Sequence, residues 1–121
     1  MSDQLPPCPS CASDYSYESG LAAMTRMLEH DVDAVFAASD RMAAGAIAAV
    51  RRAGRRVPED IAIAGFDDSG LAATHEPPIT TMRQPWDQIS AQMVTVLLEV
   101  IAGASPRSVI LDTELVVRDS A

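Results

Sequence analysis

The chain has 121 residues, 48% of them apolar, which is enough for one packed domain and leaves little length for a second. Its formal charge of −8 disfavours a phosphate-rich partner, and because every basic side chain is an arginine, Schiff-base and P-loop-lysine chemistries are excluded. No stretch approaches the roughly 18 apolar residues of a membrane span, and no signal-peptide pattern opens the sequence, so a cytoplasmic protein without membrane contact is expected.

Residues 1–13 are rich in Pro, Ser and Cys, carry no apolar period, and read as a disordered tail. Cys8 and Cys11 lie within that tail. Zinc would need two further ligands, and His30 and His75 are at unsuitable spacing, so neither a metal nor a cofactor is expected. Residues 16–30 predict a helix capped by Ser16, with Leu21, Met24 and Leu28 on one face. The run Asp33 to Ala38 reads as a buried parallel strand. Ser39 and Asp40 end it and can cap a helix from Arg41 to Ala53, which Gly54 stops. Ile61 to Phe66 is a second buried strand, and a loop with a short helical turn leads to Pro77 and Pro78. Thr80 to Arg83 is a third strand. A helix follows from Pro85 to about Ala102, with Trp86, Ile89, Met93, Leu97, Val100 and Ile101 along its apolar face. Val109 to Val117 alternates and predicts a half-buried edge strand with Val109, Leu111, Leu115 and Val117 facing inward. Alternating helix and strand implies right-handed crossovers and a parallel sheet, so the fold class is α/β.

In an open α/β sheet, ligands bind beyond the carboxyl ends of the strands. Those ends present Ser39 and Asp40, Asp67 and Asp68, and Arg83 and Gln84, with Trp86 just beyond. The set suits a polyol. A carboxylate accepts from two hydroxyls at once, an amide donates and accepts together, and an indole offers an apolar face to sugar C–H groups. Each residue also has a structural reading. Asp40 is read first as a helix N-cap and second as a ligand contact, Asp68 can simply turn the chain, and Trp86 fits the core of an amphipathic helix equally well. Asp67, directly after a buried strand, is the leading ligand contact. Arg51, Arg52, Arg55 and Arg56 cluster at a helix C-terminus, where cations offset the dipole, so a solvated cap is preferred to a nucleic-acid patch. Neither a catalytic triad nor a zinc-protease motif can be read, so no enzyme is expected.

Several blocks, taken in order, resemble the LacI/GalR family of transcriptional regulators: Asp14 to Gly20, Asp33 to Arg56, Val57 to Asp68 (V-P-E-D-I-A-I-A-G-F-D-D), Pro77 to Pro85 (P-P-I-T-T-M-R-Q-P) and Glu114 to Ser120. The resemblance implies a partial type I periplasmic-binding-protein-like fold over residues 14–121. Most of it is one lobe with a parallel sheet flanked by helices, joined to a crossover helix at about 86–102. It implies that Asp67 contacts a sugar effector, that Gln84 and Trp86 lie beside it, and that Ser39 stands where many members have an effector-contacting asparagine. The loop from Ser69 to Pro78 resembles part of the family's dimer surface, which points to Leu71, Ala72, His75 and Pro77 and to a homodimer. No counterpart of the family's DNA-reading head or of most of its first lobe is legible in these residues. The chain is therefore expected to sense an effector without touching DNA, and the apolar face of its last helix is expected to lack its usual cover. The alternatives are a sugar-binding protein of a transport system and a non-functional remnant.

Overall fold

The computed structural model describes residues 14–121. The predicted tail, with Cys8 and Cys11, lies outside the described residues. Four helices and four strands alternate: α1 (Tyr17–Met27), β1 (Ala34–Phe36), α2 (Asp40–Arg52), β2 (Ala62–Asp67), α3 (Gly70–Thr74), β3 (Thr80–Arg83), α4 (Trp86–Ile101) and β4 (Glu114–Val116). They build one sheet in the order β1-β2-β3-β4. The first three strands are parallel, with Phe36 opposite Ala64 and Ala64 opposite Thr80, while β4 runs antiparallel to β3. The α/β class, the parallel sheet and the flanking helices are as expected.

Local chemistry explains the element ends. The Ser16 hydroxyl accepts from Ser19 N–H at 3.1 Å and starts α1. The helix stops at Met27, short of the expected His30, because Glu29 and His30 turn back onto Arg26 and Met27 in tighter bonds. Ser39, not Asp40, caps α2, its hydroxyl accepting from Met42 N–H at 3.2 Å. Gly103, at φ 99°, closes α4 in a conformation open to glycine.

The largest departure is the final strand. Only Glu114 to Val116 pairs, not Val109 to Val117. The partner strand explains the difference. β3 is four residues long, its last residue Arg83 lies opposite Glu114, and Pro85 then lacks the N–H to extend a ladder. Leu115 and Val117, expected to face inward, are exposed, and the more sheltered residue of β4 is Val116. Alternation marked a strand-compatible segment, but a strand needs a partner of matching length.

The core lies between the sheet and the pair α1 and α2. Met24, Ile47, Val50, Ile61, Ile63 and Ile79 fill it, with Ala43, Ala44, Ala46 and Ala49 between them. Small residues let the two helices come close. A Cβ on Gly20 would strike the Met42 carbonyl oxygen, and one on Gly45 would strike that of Tyr17. The opposite sheet face carries Phe36 edge-on to Phe66, ring centroids 6.4 Å apart, with Phe36 63% exposed. No α4 residue is buried, and Met93, Leu97 and Ile101 of its apolar set are exposed. Together with residues 107–111 this helix forms an open apolar groove of about 760 Å³. Among the described residues, no helix is long and apolar enough to cross a membrane.

The Gly45 contact yields a direct expectation. Gly45→Ala forces a methyl group into the α1 backbone and should lower stability by about 1–3 kcal/mol, the usual range for overpacking. The midpoint of urea unfolding reads this, and an unchanged midpoint would show that the helices are not in this contact.

Candidate functional site

The carboxyl ends of β2 and β3 and the first turn of α4 enclose a cleft of about 380 Å³. It is lined by Asp67, Asp68, Arg83, Gln84, Pro85, Trp86, Asp87 and Gln88. Asp67 ends β2 and Gln84 follows β3, so the parallel register brings them side by side. The Gln84 amide donates from Nε2 to Asp67 Oδ1 at 2.6 Å. That bond fixes the carboxylate through Oδ1. Trp86, at the start of α4, is 54% exposed and offers its ring to the same cleft. Of the two readings open for Trp86, core packing is not what the described residues give it, since the side chain is left half-exposed.

The backbone that carries Asp67 is strained. Asp67 and Asp68 both have positive φ, 108° and 55°, a region that costs non-glycine residues about 1–3 kcal/mol each. Such a turn persists only where its surroundings hold it. Here the Asp68 carboxylate accepts from Arg83 Nε and from an Arg118 terminal nitrogen, both at 2.7 Å. Arg83 also lies 3.6 Å from Glu114. Burial pushes the Asp68 carboxyl up, but the two arginine bonds outweigh it and hold the group below its ordinary value.

The next residue is held from the other side. Ser69 donates its N–H at 2.7 Å and its hydroxyl at 3.1 Å to Asp40 Oδ2, while Thr81 donates its hydroxyl to Asp40 Oδ1 at 2.6 Å. Asp40 is 1% exposed and sits in the first turn of α2, where the helix dipole favours a negative charge. Neither sequence-based reading of Asp40 survives. It is not the cap, and with both oxygens bonded inside the protein it does not reach a ligand. Ser39 is corrected as a ligand contact for a similar reason. It is buried, its hydroxyl caps α2, and it donates to the Tyr15 carbonyl at 3.2 Å.

The expected dimer residues divide. Leu71 is exposed and His75 is partly so, its Nδ1 lying 3.0 Å from the Pro77 carbonyl oxygen. Ala72 and Pro77 are buried within the chain, so their side chains cannot meet a second copy across this surface. Arg51 and Arg52 lie exposed in the last turn of α2, and Arg56 pairs with Asp60 at 3.1 Å. Sequence reasoning did not single out Thr81, Arg118, Asp87 or Gln88. Arg118 meets Asp68 across 50 residues, and no periodicity marks such a pair.

Comparison with known proteins follows the same lines. The sequence profile of the family described as periplasmic binding protein-like domain matches residues 3–121, which takes in the stretch 3–13 that the resemblance had left out. The HTH-type transcriptional regulator CelR of Thermobifida fusca is 46% identical over 111 residues, covering 88% of this chain and 33% of its own length. A solved CelR–cellobiose complex superposes with a TM-score of 0.84 at 45% identity, covering 90% of this chain and 35% of that one. The lac repressor dimer bound to operator and the anti-inducer ONPF superposes with a TM-score of 0.82 at 32% identity, covering 89% and 39%. The chain thus spans about a third of the length of the curated relatives it matches.

Two outcomes follow from this network. Asp40→Ala strips the partner from Ser69 N–H and the Thr81 hydroxyl and should cost about 2–4 kcal/mol of unfolding free energy, read by urea denaturation. A loss below about 0.5 kcal/mol would contradict the role given to that carboxylate. Asp68 sets a pH window. Its folded value is depressed, so its contribution is complete above about pH 4 and fades as the pH falls through the lower folded value. Asp68→Asn should therefore flatten the acid limb of a melting-temperature profile below pH 4, leaving the slopes due to Asp14, Asp60 and Glu99, which are also depressed. An unaltered limb would remove Asp68 from the account.

Proposed function

Because the chain belongs to the periplasmic binding protein-like domain family, in the form carried by LacI-type transcriptional regulators, we propose that it is the effector-sensing part of such a regulator and that the cleft at Asp67, Gln84 and Trp86 takes a neutral saccharide. The observation that carries this reading is the convergence itself: a fixed carboxylate, an amide bonded to it and an exposed indole ring in one cleft at the strand ends. Carboxylate and amide are suited to neighbouring hydroxyls, and the ring to a sugar's C–H face. Among the described residues, the only arginine lining the cleft is already paired to Asp68, so the cleft favours an uncharged ligand over an anion.

We read the cleft as one that binds without transforming: among the described residues no nucleophile with an adjacent base lines it, and the relatives are regulators. A net charge of −8 supports the reading that operator contact lies outside these residues. We place the protein in the cytoplasm, where a regulator meets both effector and DNA. We assign dimer contact to the exposed part of the α3 loop, Leu71 and His75. The open groove of α4 and the uncovered Phe36–Phe66 face suit contact with the portions of the relatives that this chain does not span.

Cellobiose is the first ligand to try, since it is the sugar in the CelR complex. An open cleft makes few contacts, so binding on the order of millimolar is expected. Titration followed by Trp86 fluorescence should saturate, and Asp67→Ala should weaken it roughly tenfold or more. A panel of neutral disaccharides that leaves the fluorescence unchanged would sink the reading, as would an Asp67→Ala protein that binds like the parent.

A further inference from the structure

The cleft residues do not by themselves explain how Asp67 keeps its strained geometry. The adjacent Asp68 does not point freely to solvent, because two arginines fix it and they differ in kind. Arg83 is 48% exposed at its side chain, lines the cleft and shares its charge with Glu114. Arg118 is 17% exposed and anchored at three points. Its backbone N–H donates to Thr80 Oγ1 at 2.8 Å, one terminal nitrogen donates to the Ile79 carbonyl at 2.9 Å, and the other to Asp68 Oδ1 at 2.7 Å. Its place along the chain is fixed as well. Two residues on, Ser120 is fully buried between β2 and β3. The Ser120 hydroxyl donates to the Ile63 carbonyl at 2.6 Å and accepts from Thr80 N–H at 2.9 Å, and the Ile63 N–H donates to the Ser120 carbonyl at 2.8 Å.

We propose that Arg118 is a positioning residue for the cleft: it holds Asp68 in the left-handed turn and thereby aims the neighbouring Asp67 carboxylate at Gln84 and the ligand. Arg118 is not among the residues that line the cleft. Its guanidinium is a rigid fork, and its two terminal nitrogens meet acceptors on different segments, the residue just before β3 and the turn after β2. The final segment of the chain therefore sets the orientation of a carboxylate 51 positions earlier, through a single side chain.

The importance of this for ligand binding rests on the saccharide reading above, and the test separates the two. Wild type and Arg118→Gln are compared by ¹H–¹⁵N correlation spectra, reading the side-chain amide of Gln84 and the backbone amides of Asp67, Asp68 and Ser69, and then by titration with cellobiose. Arg118→Gln should shift the Gln84 side-chain amide and the turn amides in the folded protein and weaken cellobiose binding roughly tenfold. A merely structural arginine would lower the melting temperature and leave the Gln84 amide where it was, and that result overturns the proposal. If wild type binds no cellobiose, the saccharide reading loses its ligand while the amide shifts still decide the role of Arg118. Should Arg118→Gln fail to fold, Asp68→Asn takes its place. It keeps the side-chain shape and weakens both arginine bonds, so it must move the same resonances, and unmoved resonances reject the proposal.

Discussion

One buried carboxylate organises the cleft end of this molecule. Asp40 stands in the first turn of α2, where the helix dipole favours its charge, and its two oxygens take donors from the start of α3 and from β3. Burying a charge is costly unless its oxygens are bonded, and the three donors tie the loop at Ser69 to a strand of the sheet, through Ser69 N–H and hydroxyl on one side and the Thr81 hydroxyl on the other. The core of alanine and isoleucine packs α1 and α2 onto one face of the sheet but says nothing about where the loops beyond the strands go. Asp40 decides that. It fixes Ser69, and Ser69 follows the two strained residues that carry the cleft's carboxylate.

The strain at Asp67 and Asp68 is held from three directions: Asp40 on the following residue, Arg83 and Arg118 on Asp68, and Gln84 on Asp67. Preorganisation of this kind matters where few contacts are available. A cleft open to solvent gains little from enclosure, so the proposed sugar binding would depend on a carboxylate and an amide already placed for neighbouring hydroxyls. The fold contributes direction. Parallel strands deliver their last residues to one edge, and the register of β2 against β3 sets Asp67 beside Arg83 and one residue from Gln84.

Much of this was legible in the sequence, and the rest was hidden for definite reasons. The helices α2 and α4 and the strands β2 and β3 announced themselves by apolar pattern and by Gly, Pro and Ser punctuation, because local rules suffice for them. That Asp67, Gln84 and Trp86 share one cleft was legible because the strand-end rule needs only strand positions. Asp40 was misread because its partners lie 29 and 41 residues away, and a capping rule sees only the neighbouring turn. Arg118 was invisible as a partner of Asp68 for the same reason. The final strand came out too long because alternation reports compatibility with a sheet edge, whereas pairing depends on the length of β3. The shelter of Ala72 and Pro77 was likewise unreadable from a loop that resembled a surface.

The central claim is that a neutral sugar binds where Asp67, Gln84 and Trp86 converge. Mapping amide and indole chemical shifts during addition of the disaccharide tests it most directly, since it locates binding residue by residue. The account predicts that the Trp86 indole, the Gln84 side-chain amide and the Asp67 backbone move first and furthest, while the α4 groove between Ile89 and Val100 stays still. Shifts confined to that groove, or none anywhere at saturating sugar, would contradict it.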